Sequence, residues 1–223
     1  TRHWQRNEAL RALFVVTAWP LMERFETPSR EQIALLEPFE RLAFEQITLV
    51  ADAAQAELAQ AELACAVVLG FDTESKPTFA RHEVSDGPHV VQLATAQQAW
   101  VFQLFDARCR AVVGQLLSSA AITKVGFGLG DDRRRIISKL GVEPAAVVDL
   151  NTIFWRDGYR RDIGVKGAVA VVFNRRFIKS RKATTSNWAN PRLTQAQLVY
   201  AANDAYAALR VHVAMEPAGQ AQR

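Results

Sequence analysis

The stretch Val67-Val68-Leu69-Gly70-Phe71-Asp72-Thr73-Glu74 is an apolar run that ends abruptly in two acids. Its apolar residues predict a buried strand. Side chains alternate along a strand, so Asp72 and Glu74 point to one face and Thr73 to the other. Two like charges side by side at the end of such a strand raise its free energy unless something positive lies against them. A fold built on this strand must therefore bring a cation to its end.

The neighbouring pattern predicts what the strand is built into. "ITLV" from Ile47 reads as a short strand, and "DAAQAELAQAELA" from Asp52 as an alanine-rich helix. "CAVVLGFDTE", "HVVQLATA" and "AWVFQLF" are three successive strands. A helix around 107–119, a strand in "ITKVGFG", a helix "RRRIISKL" stopped by Gly141 and a strand "AVVDL" follow. In the last long helix, from Gln195 to about Met215, Thr194 and Gln197 form a capping-box pattern. Strands that first meander and then alternate with helices predict a mixed α/β sheet with helices on both faces.

A chain of 223 residues suits one such domain with an appendage. Residues 1–40 read as a loosely attached helical arm, 41–216 as the domain and 217–223 as a tail. Within the arm, Ser29 with Gln32 three residues on marks a helix start. At 49% hydrophobic and 22% charged residues, the chain can bury a core and is not disordered. The basic residues Arg2, Arg6 and Arg11 before "ALFVVTAWPLM" imitate a secretion leader, but the run holds a proline and no small-residue cleavage site follows. No apolar run reaches the ~20 residues that span a bilayer. Cys65 and Cys109 sit in apolar contexts without metal-ligand spacing, so both are expected as small core residues of a reduced protein. The expectation is a soluble, cytoplasmic protein with no membrane partner.

The acids of the later motifs supply the chemistry. Asp131 and Asp132 follow a strand and turn, and Asp204 lies on the last helix, four residues after Tyr200 and on the same face, about 6 Å along the axis. Oxygen ligands gathered from several elements suit Mg²⁺ or Mn²⁺, whereas zinc prefers His and Cys. Two such ions about 4 Å apart can activate a water and stabilise the leaving oxygen of a phosphodiester. "GFGLGD" also imitates a dinucleotide-binding loop, with Asp149 beyond it, but Asp131 stands at the third glycine position and would repel a pyrophosphate.

"GFDTES", "KVGFGLGDDRRRI" and "SNWANPRLTQAQLVYAANDAYAAL" resemble, in order, the three motifs of the DEDD exonucleases. The third is similar to that of the tyrosine subclass, which includes ribonuclease D and the Werner-syndrome exonuclease domain. The resemblance runs from about Ile47 to Val213 and implies a ribonuclease H-like fold. It also implies two-metal removal of nucleotides from a 3′ end as 5′-mononucleotides, with single-stranded or 3′-overhang DNA or RNA as partner. By position, Asp72 corresponds to the acid that bridges both Mg²⁺ or Mn²⁺ ions, and Glu74 and Asp204 to its companions on the first. Tyr200 corresponds to the tyrosine that orients or deprotonates the attacking water. The family runs Gly-x-Gly, three residues, then Asp, which selects Asp132 and leaves Asp131 as a cap for the following helix, where the Werner-like pattern has glycine. All five motif residues are present, which favours an enzyme over a binding or scaffolding protein that kept only the fold.

Charge points to where nucleic acid would lie. Between Arg156 and Lys182 there are nine Lys or Arg and two acids, a local +7 in a chain of net charge +4, so the remainder sums to −3. Such asymmetry predicts a phosphate-tracking surface, with Lys179, Arg181 and Lys182 as its candidate residues and Arg133 to Arg135 as a second cluster. Phe173, Phe177 and Trp188 are candidates for base stacking, weighed against a place in the core.

Overall fold

The computed structural model of the chain describes residues 24–78, 86–159 and 162–216. The leader-like stretch before Arg24 and the tail 217–223 lie outside them. Six strands form one sheet: β1 (Ile47–Val50), β2 (Val68–Glu74), β3 (Val90–Ala94), β4 (Ala99–Gln103), β5 (Thr123–Gly126) and β6 (Val147–Asp149). Their order is β1-β4-β3-β2-β5-β6. β2, β3 and β4 are the antiparallel meander, while β1 joins β4, β5 joins β2 and β6 joins β5, all in parallel. This is the mixed sheet that the sequence predicts.

Alternation sorts the side chains into two cores. On one face Leu69, Phe71, Val91 and Leu93 pack with α2 (Ala53–Leu63), α3 (Ala107–Ser118) and Ile136 of α4 (Gly130–Leu140). On the other, Val90, Ala94, Ala99 and Val101 meet α5 (Leu150–Arg156), α6 (Gly164–Phe173) and α8 (Gln195–Met215). α1 (Arg30–Ala34) and α7 (Arg181–Thr184) are short. Both predicted capping boxes form, Ser29 with Gln32 and Thr194 with Gln197, and Gly141 ends α4 at φ +68°, where a side chain would be strained. Among the described residues no helix is long and apolar enough to cross a membrane.

Three expectations need correction. The described part of the arm is not loose: Phe39 is buried, and its N–H donates to the Arg176 carbonyl at 2.9 Å. Phe25 bridges to Tyr159 in the same way, and Arg176 donates to the Ala34 carbonyl at 2.7 Å. Of the two cysteines only Cys109 is in the core; Cys65, just beyond α2, is exposed. Trp188 is a core residue, Phe173 is half-buried at the edge of that core against Phe39, and Phe177 is buried at the wall of a cavity rather than exposed on the surface.

Candidate active site

β2 delivers Asp72 and Glu74 to its C-terminal end on the face covered by α8. α8 comes unusually close because the contact is made of small groups. A Cβ added at Gly70 would lie 1.9 Å from the Ala205 carbonyl oxygen, so only glycine lets this turn of helix lie on the strand. Ala201, Ala202, Ala205 and Ala208 keep the approach short along the rest of the helix. Asp204, one residue from the closest contact, is thereby carried to Asp72. Ligand oxygens of Asp72, Glu74 and Asp204 all lie within 4.8 Å of one another.

Asp132 stands apart from that trio. It lies on α4, across the sheet end, and accepts a hydrogen bond from Thr73 Oγ1, the side chain that alternation turns to the other face. Its charge still reaches the trio and helps to raise the pKa values of Asp72 and Glu74. Asp131 is not the helix cap expected of it: the cap position is Leu129, and Asp131 lies exposed in the first turn, paired with Arg134. The turn is held instead by Asp149, whose carboxylate accepts from the N–H groups of Gly128 at 3.1 Å and Leu129 at 2.9 Å. Of the two second-motif acids, Asp132 is the one whose charge acts on Asp72 and Glu74, whereas Asp131 faces solvent.

Tyr200 is buried four residues before Asp204 and on the same side of α8. Its ring lies 5.9 Å from that of Trp188, and its hydroxyl is hydrogen-bonded to that of Thr184 on α7 at 3.2 Å. Lys179 is where the structure departs most from the sequence. It is not on an open basic surface; its Nζ is 2.7 Å from Asp204 Oδ2 and 5.3 Å from the centre of the Tyr200 ring. Arg181 and Lys182 are exposed as expected, whereas Arg133 and Arg134 are occupied by Glu143 and Asp131. Sequence reasoning missed Thr184, and also Arg41. Arg41 lines a cavity of about 370 Å³ with Phe177, Ile178, Asn203, Tyr200 and Asp204.

The electrostatics are those of a crowded acid cluster. Burial first, then Asp204 and Asp132, raises the pKa of Asp72; burial, then Asp72 and Asp204, raises that of Glu74. Burial also raises Asp204, against the pull of Lys179 and the Tyr200 hydroxyl. For Lys179 itself burial works downward, but Asp204 and then Tyr200 outweigh it and the pKa rises. Asp204 is only 4% exposed, and its charge is met by the Lys179 ammonium at 2.7 Å and by the Tyr200 hydroxyl. A buried carboxylate in that position is costly without more positive charge. The donor set is all oxygen, so these residues fit a hard divalent cation.

A profile of 3′–5′ exonucleases matches residues 47–220, most of the chain and all three motifs. The chain belongs to the 3′–5′ exonuclease family. Within the family it is 29% identical over 150 residues to the bifunctional 3′–5′ exonuclease/ATP-dependent helicase WRN of Mus musculus, and 24% identical over 146 residues to a 3′–5′ exonuclease of Arabidopsis thaliana. Each alignment takes in 65% of this chain, but only 10% and 51% of those two proteins. The crystal structure of Trypanosoma brucei RNase D superposes with a TM-score of 0.70 at 20% identity, covering 78% of this chain and 66% of that one. The fold is therefore that of the DEDD exonucleases, as the motif resemblance implies.

Proposed function

We propose that this chain is a metal-dependent 3′–5′ exonuclease. It would remove nucleotides as 5′-mononucleotides from the 3′ end of single-stranded or 3′-overhang DNA or RNA. The observation that carries the proposal is the convergence of Asp72, Glu74 and Asp204 from a strand end and a helix, with Asp204 buried. Two Mg²⁺ or Mn²⁺ ions would be held by Asp72, Glu74 and Asp204, with Asp132 on the far side, and would supply charge stabilisation and an activated water.

The chain's own groups divide the remaining work. Tyr200 Oη, whose pKa is raised first by burial and then by Asp204, keeps its proton at neutral pH. It is placed to orient the attacking water by hydrogen bonding. Thr184 fixes the direction of that hydroxyl. Thr73 holds the Asp132 carboxylate in one orientation. The cavity beside Tyr200 and Asp204, walled by Phe177 and Ile178, gives a terminal nucleotide an apolar wall, and Arg41 gives it a cation. The exposed Arg181 and Lys182 extend positive charge along the approach. Nucleic acid as substrate is also supported by a relative of the same fold, since T. brucei RNase D has been crystallised in complex with RNA U12.

The test is incubation with end-labelled DNA and RNA oligonucleotides in Mg²⁺, Mn²⁺ or EDTA. A 5′ label should give a ladder of shortening products, and a 3′ label should leave at once as a mononucleotide, both only with metal. Binding without shortening would support a scaffolding protein instead. Undiminished cleavage in EDTA would remove the metal from the mechanism.

A further inference from the structure

Lys179 is placed by a segment without helix or strand, between the end of α6 and the start of α7. Asp72, Glu74 and Asp204 sit on rigid elements, whereas Lys179 is an ammonium on a flexible four-carbon stem leaving a coil. Its Nζ takes Asp204 Oδ2 at 2.7 Å, and its side chain is 28% exposed, so a path to solvent is open. Its charge is felt beyond that contact, since it also opposes the raised pKa values of Asp72 and Glu74. Lys166 acts on Asp204 in the same sense but from an exposed position on α6.

Resting on the metal-dependent reading above, we propose that Lys179 is the internal counter-cation of the carboxylate trio and competes with the divalent ion for Asp204. The ammonium and the ion want the same oxygen, and two cations there repel each other. Metal binding then requires Lys179 to give up Asp204 and swing outward. Lys179 is thus a positioning residue: it keeps three acids together in one fold and sets how tightly the site holds metal. An ordinary structural ion pair would instead hold the carboxylate in place for the metal, and its loss would weaken binding.

Two measurements on the full chain separate these roles. Mn²⁺ titration of Lys179→Met, which keeps the stem and removes the charge, should show binding tighter by about tenfold or more, the scale on which one adjacent charge moves an ionisation equilibrium. Its melting temperature should fall in EDTA and recover in saturating Mn²⁺, while Lys179→Arg stays close to the original chain in both. Equal or weaker Mn²⁺ binding by Lys179→Met would overturn the proposal. The second measurement needs no variant: acetylation of Lys179 by an amine reagent, read by mass spectrometry, should speed up when Mn²⁺ is added. A rate unchanged by saturating Mn²⁺ would overturn the proposal even if Lys179→Met fails to fold. If the original chain binds no Mn²⁺ at all, the metal-dependent reading fails first, and the inference with it.

Discussion

On one side of β2 lie Leu69, Phe71 and Thr73; on the other lie Gly70, Asp72 and Glu74. The first side is a conventional core, in which large apolar groups fill the space under α2, α3 and α4. The second side omits a side chain at Gly70 to admit α8, and then concentrates acid where the helix arrives. Each face also holds a lysine, Lys124 fully buried and Lys179 partly so. Lys124, on β5 beside Leu69, donates to the Ser119 and Ile122 carbonyls at 2.7 Å each, and burial lowers its pKa to about 8. Lys179 meets a carboxylate, and its pKa rises. Burial works downward on both; the charge of the partner decides the sign. The first face lowers the free energy of folding, and the second gives some of that back to hold a reactive cluster.

The largest effect that separates the faces is on turnover. Tyr200→Phe keeps the ring against Trp188 and removes only the hydroxyl, so single-turnover cleavage should fall about 10- to 1000-fold. Its Mn²⁺ affinity should be kept, and its stability should change by no more than about 1 kcal/mol. Wild-type cleavage by this variant would reduce Tyr200 to packing.

Next come neighbouring residues of β2 that face opposite ways. Leu69→Ala should cost about 2–5 kcal/mol in denaturant unfolding, the range for a buried leucine. The surviving folded protein should bind Mn²⁺ normally. Gly70→Ala should cost about 1–3 kcal/mol, because the new methyl meets backbone that cannot rotate away. It should also weaken Mn²⁺ binding, by pushing Asp204 from Asp72. Equal metal affinity in both variants would mean that the α8 approach does not build the site.

Much of this contrast is legible in the sequence, for a physical reason. Period-2 alternation fixes which face Asp72, Thr73 and Glu74 take, and four-residue helical spacing puts Tyr200 with Asp204. Local capping chemistry likewise marks the starts of α1 and α8. Lys179 is not legible in the same way, because its direction depends on the path of a coil and on α8, which comes later in the chain. Charge counting grouped it with Arg181 and Lys182, and it also counted Arg176, whose guanidinium is bound to the Ala34 carbonyl. Asp131 misled for the opposite reason, since its sequence context suits a cap that Asp149 supports from another strand.

Smaller effects sharpen the comparison further. Because the folded pKa of Lys124 lies below the usual value of 10.5, the unfolded chain binds more protons between about pH 8 and that value. Stability contributed by this group should therefore rise with pH across that window, and Lys124→Met should flatten the rise in melting temperature. A rise that persists in the variant would assign it to another group. Smallest, neutralising Arg181 and Lys182 together should reduce the salt dependence of nucleic-acid binding by a slope of about 2 at most, with turnover at saturation little changed. An unchanged slope would place the nucleic acid elsewhere.

The most direct test of the metal-binding face is the melting temperature of the original chain and of Asp72→Asn, each in EDTA and in saturating Mn²⁺, with cleavage measured alongside. Asparagine keeps the hydrogen bond from the Thr73 N–H, which Asp72 Oδ1 accepts at 2.9 Å, and relieves repulsion with Asp204, Asp132 and Glu74. In EDTA the variant should melt at the same temperature as the original chain or higher. In Mn²⁺ the order should reverse, with the original chain gaining stability and it alone cleaving. A variant that is less stable in EDTA yet gains as much from Mn²⁺ would contradict a metal site built on Asp72.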